Sequence, residues 1–509
     1  MPKQEKTILD VLQEQHQPIV APCNGQKICG KCKIVLDPST SINEAEKRLL
    51  SETEISRGIR LACTRNADSV DVVELVHDTE HMVILSNVLL PEDRTPYLVK
   101  KSNPIGYELY RFDTFIGTSA SPHIYAVIVD IGTTTCAVVL LDIAIGRVVE
   151  ERVFLNPQTS YGSDVIHRIQ YANSAENINT LKQLIVTRID QSIISLLESN
   201  AIDAKDVIDV VIAGNTTMHY LLLGYDPFEL AQAPYHASHT NQVVLPYEEV
   251  FGRKMDTIVT IFASFDAFVG GDILSGIYAL NMHQQEGYHM LVDLGTNGEI
   301  VLGNKDKLYM ASTAAGPAFE GVNITHGIGA IPGAIDTFQY PNQFTTIKQK
   351  EPSGICGSGL IDIVSELLQH GIIQPSGYMT SSYSITKDIE LTPTDVREVQ
   401  LAKAAIRAGM EHLMNVANVS SKEIKTLYIA GGFGHHINFD SLKHLGMIPS
   451  SLHDKITIVG NTSLAGCATF LFKENHDDLT KIPERSKIVN LGTSKEFQDL
   501  FIEHLAFNR

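Results

Sequence analysis

No stretch of the 509 residues comes near the roughly 18 consecutive apolar positions that a membrane-spanning helix requires. The opening MPKQEKTILDVLQEQ is polar and lacks the apolar centre of a signal peptide. Basic side chains are outnumbered, 40 Lys and Arg against 59 Asp and Glu. The resulting net charge of −19 disfavours nucleic acid and anionic membrane surfaces, both of which reward clustered cations. No G-x4-G-K-[ST] sequence occurs, so a P-loop is not the means of holding a phosphate. These absences lead to the expectation of a cytoplasmic globular protein with no nucleic acid and no membrane as partner. An acidic surface of this kind suits docking on other proteins.

Cysteine is also sparse, but unevenly so. Of seven, Cys136, Cys356 and Cys467 are isolated and read as small buried hydrophobes. The other four, Cys23, Cys29, Cys32 and Cys63, are spaced C-x5-C-x2-C-x30-C. Three thiolates from one tight loop and a fourth from further along is how [2Fe–2S] ferredoxins wrap their cluster. Structural zinc usually takes two compact knuckles, and only Cys29 with Cys32 makes one. A [2Fe–2S] site is therefore favoured and zinc is the alternative.

The flanking residues agree. KTILDVLQEQ places Ile8, Leu9 and Leu12 at helical spacing, while CKIVLD and SVDVVEL alternate as strands. With APCNGQKICGKC as cluster loop, residues 1–78 resemble a β-grasp ferredoxin. Two departures stand out. Little sequence precedes the helix, so the sheet should be smaller than usual. Asn24 and Lys27 stand where glycines are common, and lysine tolerates positive φ poorly.

Residues 79–122, with scattered Pro, Ser and charge, read as a linker. Beyond them the pattern is duplicated. IYAVIVDIGTTTCAVVLLDIAIGRVV (124–149) and YHMLVDLGTNGEIVLGNKDKLYMAS (288–312) both run strand, Gly-Thr turn, strand, strand, with Asp130 and Asp293 163 positions apart. Each is followed by a long helical stretch, 178–200 and 395–417. After that comes an apolar strand ending in Ala-Gly, within VIDVVIAGNTTMHYLLLG and IKTLYIAGGFGHHINFDSLKHLG. Strands alternating with helices predict α/β layers around parallel-containing sheets. Gly-Thr turns offer backbone N–H groups and hydroxyls to phosphate oxygens, and an aspartate beside them suits a hydrated Mg²⁺.

In this order the motifs resemble the actin, Hsp70 and sugar-kinase (ribonuclease H-like) nucleotide fold. DIGTTT stands as first phosphate loop, DLGTNGE as second and IAGGFG as adenosine loop. The resemblance implies a duplicated α/β ATPase fold with subdomains 123–286 and 287–509. It also implies that Gly132, Thr133, Thr134, Thr135, Gly295, Thr296 and Asn297 hold phosphates, that Asp130 and Asp293 hold the waters of Mg²⁺, and that Gly431, Gly432 and Gly434 line the nucleoside. Gly214 and Asn215 occupy the matching turn of the first half and face the cleft or a partner. His435 and His436 read as ordinary surface or capping residues, and Glu299 and Glu320 as structural or water-orienting.

Combined with the four-cysteine segment, AGNTTMHYLLLG, AAGPAFEGVNI, GICGSGLIDIVSELL and GNTSLAGC make the chain similar to the reductive activators of corrinoid proteins. That resemblance implies ATP-dependent, one-electron reduction of Co(II) to Co(I) in a corrinoid protein of a methyltransferase system, with electrons from an external low-potential donor. ATP is needed because a plant-type [2Fe–2S] centre lies near roughly −400 mV and the acceptor lies lower. Each ~59 mV of a one-electron gap is a factor of ten. Two alternatives stay open: a small-molecule kinase of this fold with a redox-sensing iron–sulfur domain, and an ATP-gated module that binds corrinoid proteins. Oligomeric state is open too, a homodimer included.

Overall fold

The computed structural model describes residues 6–507 other than 15–18, 20, 22–24, 28–29, 51, 68–73, 76–87, 93–96, 104–105, 112–113, 120, 163, 432–436 and 474–475. Helix α1 (Ile8–Glu14) buries Ile8, Leu9 and Leu12, as their spacing predicts. Strands β1 (Lys33–Val35), β2 (Ile59–Leu61) and β3 (Glu74–Leu75) form a small antiparallel sheet in the order β2-β1-β3. It is the reduced sheet that the short leading sequence predicts. Ile34, Leu36 and Leu61 complete a core that also contains Cys32 and Cys63.

The stretch expected to be a linker holds regular structure. β4 (Tyr97–Asn103), β5 (Gly106–Arg111) and β6 (Thr114–Ser119) pair antiparallel in chain order. Leu109 enters the core of the following lobe, and Ser119 Oγ donates to buried Asp206 at 2.6 Å. In β5 only Leu109 is buried, so that strand lacks the apolar alternation by which strands are recognised.

The first lobe is built on β7 (Tyr125–Ile131), β8 (Thr135–Asp142) and β9 (Arg147–Leu155), an antiparallel meander. Helix α2 (Ala175–Ser199) leads to β10 (Val207–Gly214), which lies parallel to β7 and is followed by α3 (Thr216–Leu223). β11 (Val243–Pro246) and β12 (Ile258–Ile261) finish a six-stranded sheet ordered β11-β12-β10-β7-β8-β9, and α4 (Gly271–Ala279) follows. The second lobe repeats the scheme with β13 (Tyr288–Leu294), β14 (Gly298–Gly303) and β15 (Leu308–Thr313). Then come α5 (Gly357–Gln369), α6 (Pro393–Ala417), β16 (Ile424–Ala430), α7 (Phe439–His444), β17 (Ile456–Gly460), α8 (Thr462–Phe472) and β18 (Ser486–Ile488). α9 (Lys495–Glu503) follows β18. In the sheet order β17-β16-β13-β14-β15-β18 the first five strands correspond in turn to β12-β10-β7-β8-β9, while β18 and β11 have no counterpart.

β7 is apolar without alternation because both of its faces are covered. Val127, Val129 and Ile131 pack with Leu181, Ile185 and Ile189 of α2. Ala126 and Ile128 point the other way, into a cluster containing Ile273 and Ile277 of α4 and Leu464 and Ala468 of α8. Leu291, Val301 and Met310 of the second sheet enter that same cluster. One layer made of α4 and α8 thus serves both lobes. The two helices cross closely: a Cβ on Gly466 would lie 2.2 Å from the Ser275 carbonyl oxygen. Cys136, Cys356 and Cys467 are all buried, as expected of isolated cysteines.

Candidate functional site

The two Gly-Thr turns lie at the ends of β7 and β13, and each is closed by the N–H of its glycine, on a carbonyl three positions on in the first and two positions on in the second. Gly132 N donates to Thr135 O at 3.0 Å, and Gly295 N to Asn297 O at 3.0 Å. A Cβ on Gly132 would stand 2.4 Å from Thr135 O, so the first turn closes only with glycine. Both turns open onto one cleft. Thr134 Oγ1 is 3.3 Å from Thr296 Oγ1. The cleft is lined by Gly132, Thr133, Thr135, Asn215, Gly295, Thr296, Asn297 and Gly431, together with Asp130 and Asp293.

Side chains behind the first turn fix it. Asn156 Nδ2 donates to Gly132 O at 2.9 Å and Asn215 Nδ2 to Thr133 Oγ1 at 2.9 Å. Arg168, fully buried, donates to Thr133 O and to Gly162 O. Asn215 also caps α3, accepting from Met218 N. Gly214 does not line the cleft as the sequence reading allowed. It packs behind the turn, where a Cβ would come within 2.7 Å of Ile131 O, and its smallness serves strand approach. Gly431 has φ +127°, and a Cβ there would strike Leu294 O at 2.4 Å. Gly432 and Gly434, like His435 and His436, lie outside the described residues.

The cleft floor is acidic. Asp130 accepts from Asn461 Nδ2 at 2.7 Å and from Ser463 Oγ at 2.8 Å, both at the start of α8 in the other lobe. Burial pushes the Asp130 carboxyl above the ordinary range against those two hydrogen bonds. Asp293, with no side-chain donor among the described residues, is pushed up to about 8 by burial and by the negative charges of Asp272, Asp130 and Glu320. Asp272, in the first turn of α4, rises to about 7 from burial, and burial also raises Glu299. Glu320 accepts from Thr134 Oγ1 at 2.6 Å and Thr296 Oγ1 at 2.7 Å, one hydroxyl from each lobe. Carboxylates gathered this way ionise together only when a cation joins them. Among the described residues no three of them close into a direct metal cage. A site of this kind suits Mg²⁺, which keeps several waters and completes its shell with phosphate oxygens.

Asp272, Asn461, Ser463 and Arg168 escaped the sequence reading. The signal for the first three was present. VGGDIL and VGNTSL mark a further repeated unit, β12–α4 and β17–α8, whose helices begin beside the two aspartates.

At the small domain, β1 and β2 bring two of the four cysteines together. Lys33 pairs with Leu61, and Ala62 N donates to Cys32 O at 2.8 Å, which sets Cys32 beside the 62–64 turn containing Cys63. Both cysteines are buried. Cys23 and Cys29 lie outside the described residues, as does Asn24. Lys27 does adopt the left-handed conformation, φ +60°, with its carbonyl held by Arg48 at 3.2 Å. Gly25 and Gly30 turn the same way, at φ +79° and +65°. The segment bearing Cys63 is anchored on buried Glu46, which receives Leu61 N at 3.0 Å and Arg65 Nε at 2.8 Å. Burial pushes the Glu46 carboxyl up, but Arg65 and the amides of Asn43 and Leu61 outweigh it and hold it below the usual range. Left-handed turns at Gly25, Lys27 and Gly30 and two buried cysteines in one core fit a thiolate-bound cluster.

Family profiles match the chain in three consecutive pieces. Residues 1–67 match the 2Fe-2S iron–sulfur cluster binding domain, 125–285 the RACo middle region, and 287–509 the C-terminal ASKHA domain of RACo. A solved structure entitled reductive activator for corrinoid, iron–sulfur protein superposes with a TM-score of 0.74 at 26% identity, covering 99% of this chain and 97% of that one. The chain belongs to the RACo-type reductive activators. Among curated members of this family, the corrinoid activation enzyme RamQ of Eubacterium limosum is 26% identical over 99% of this chain and 96% of its own. The [Co(II) methylated amine-specific corrinoid protein] reductase of Methanosarcina barkeri is 25% identical over 75% of this chain and 77% of its own. As a RACo-type activator the chain joins an iron–sulfur domain to an ATP-binding ASKHA fold. Among its described residues no helix is long and apolar enough to cross a membrane.

Proposed function

We propose that this protein reduces the Co(II) state of a corrinoid protein to Co(I) at the expense of ATP, in the cytoplasm, using a separate low-potential electron donor. The observation that carries the reading is the joining, in one chain, of buried cysteines on a ferredoxin-type sheet to a cleft closed by two matched Gly-Thr turns. Cys23, Cys29, Cys32 and Cys63 would hold a [2Fe–2S] cluster, which supplies one-electron transfer when bound.

The remaining chemistry belongs to the cleft. Gly132, Thr133, Thr134, Thr135, Gly295, Thr296 and Asn297 hold phosphate oxygens: Gly132 and Gly295 close the two turns with their own N–H groups, the residues after them present N–H and hydroxyl groups, and Asn215 orients Thr133 for that contact. Asp130 and Asp293 would hold the water shell of Mg²⁺, whose charge would let the acidic floor ionise. Gly431, which lines the cleft, would meet the nucleoside together with Gly432 and Gly434. Because the turns come from different lobes, nucleotide binding favours their closed arrangement. That difference in affinity between arrangements is the energy available to an uphill electron transfer.

The test is anaerobic. Cluster-loaded protein, a chemical reductant of low potential and a Co(II) corrinoid protein are mixed with and without Mg-ATP, and Co(I) absorbance is followed. ATP-dependent Co(I) supports the proposal. Phosphoryl transfer to a metabolite without Co(I) would replace it with the kinase reading, and nucleotide-dependent complex formation without Co(I) with the binding-module reading.

A further inference from the structure

The small domain touches both lobes, and each contact lies one step from a phosphate turn. On the first lobe, Ser160 Oγ donates to Ile19 O at 2.8 Å, Tyr161 Oη donates to Gln13 O at 2.9 Å, and Gln13 Nε2 donates to Ser160 O. The segment beginning at Asn156 is tied to the first turn: Asn156 N donates to Thr134 O at 2.8 Å and Asn156 Nδ2 to Gly132 O. Asn156 and Gln158 are fully buried and Ser160 nearly so, which makes this segment a rigid connection.

On the second lobe, Lys31 Nζ donates to Ile324 O and Gly327 O, each at 3.2 Å. Lys31 stands between Cys29 and Cys32 in the sequence. Its two acceptors belong to the strand-free segment that starts with the 3-10 turn Pro317–Glu320. The segment is folded tightly on itself: a Cβ on Gly321 would lie 2.4 Å from Ile328 O, and Val322 N donates to Pro317 O. A displacement at Glu320 therefore reaches Ile324–Gly327 through packed backbone.

Glu320 is also where a nucleotide would intervene. Its carboxylate takes the hydroxyls of Thr134 and Thr296, the donors that the two turns offer to an anion. A phosphate oxygen and this carboxylate are both acceptor-only anions and cannot share those hydrogens. We infer that nucleotide phosphate displaces Glu320, and that the movement is passed through residues 321–328 to Lys31, a positioning residue that sets the cysteine-bearing segment against the second lobe. The inference rests on the function proposed above and names its internal regulation. Lys31 makes no claim on the cleft itself; it reads the cleft's state.

Hydrogen exchange on the full-length, cluster-loaded protein tests this, with Mg-ADP and with a non-hydrolysable ATP analogue. In the wild type, nucleotide should slow exchange at 132–135 and 295–298 and alter it by about threefold or more at 324–328 and 30–36. In Lys31→Ala the response of the two turns should persist while that of 30–36 disappears, with Lys31→Arg restoring it. If Lys31→Ala lowers iron content, Lys31→Met, which keeps the alkyl stem, takes its place. An unchanged nucleotide response at 30–36 in these variants overturns the inference, as does a wild type whose turns are protected while 30–36 stays silent. A wild type that shows the full exchange pattern yet yields no Co(I) removes the proposed function and leaves the coupling standing.

Discussion

Thr134 of the first lobe donates a 2.6 Å hydrogen bond to Glu320 of the second. The same carboxylate binds Thr296, so the two phosphate turns are bridged by an anion at the place where an incoming anion must sit. Replacing Glu320 by glutamine keeps the hydrogen-bonding shape and removes the charge. Glu320→Gln should bind ADP about five- to tenfold more tightly, roughly 1 kcal/mol, by titration calorimetry. Equal or weaker binding would show that the carboxylate does not compete with phosphate.

Asp293 and Asp130 differ in what already occupies them. Asp130 is held by Asn461 and Ser463, whereas Asp293 receives no side-chain donor among the described residues. Asp293→Asn should therefore weaken Mg-ATP by tenfold or more, about 1.4 kcal/mol, while nucleotide binding in EDTA changes little. A mutant whose metal dependence matches the wild type excludes Asp293 from the ion's water shell.

The Asp293 carboxyl, raised in the folded chain to about 8, gives a pH signature. Its unfolded value is near ~3.9, so between those limits the folded state holds the proton more tightly. Stability of the nucleotide-free protein should be greatest below the unfolded value and fall as pH rises towards 8. Asp293→Asn removes this component, so its melting temperature should exceed that of the wild type at pH 8 and converge with it only as pH falls to about 4. Mg-ATP at 100 times its dissociation constant should offset the loss by about 2.7 kcal/mol.

The small domain responds in the opposite sense. Glu46 has a lowered carboxyl pKa, so its contribution is present above the unfolded value of about 4.3 and lost as pH falls through the folded one. Visible absorbance of the loaded protein should bleach below about pH 4, ahead of the loss of helical circular dichroism. Glu46→Ala leaves Arg65 without its partner in a buried pair, and breaking such pairs costs about 3–5 kcal/mol. The variant should purify with little iron yet bind nucleotide normally.

Cys32→Ser and Cys63→Ser test the cluster assignment directly. Each should abolish the iron–sulfur absorbance while leaving ADP affinity within about twofold, or ~0.4 kcal/mol. Zinc in the wild-type protein, prepared without oxygen, would overturn the assignment.

Legibility in the sequence followed the physics of each region. The duplicated lobes were readable because strands covered on both faces must be apolar throughout, as β7 is. The turns were readable because Gly132 admits no other residue. The cleft-facing aspartates came with them. Gly214 misled because strand packing and ligand approach both call for the smallest side chain, and spacing does not separate the two. Asn461 and Ser463 were obscured because their partner, Asp130, is more than 300 positions away. The sheet formed by β4 to β6 was missed because a strand such as β5, with only Leu109 buried, carries no strong period.

The helices α4 and α8 were described as one layer serving two sheets, with Leu291 and Ala126 in a single cluster. A duplication usually suggests two autonomous units that could be separated by a protease or reshuffled by recombination. Here neither half owns a finished interior. A chain severed between residues 286 and 287 would present α4 bare on one fragment and α8 on the other, each asking for the mate it had lost. The twofold character of the molecule is thus a record of ancestry, whereas its integrity as a physical object is single.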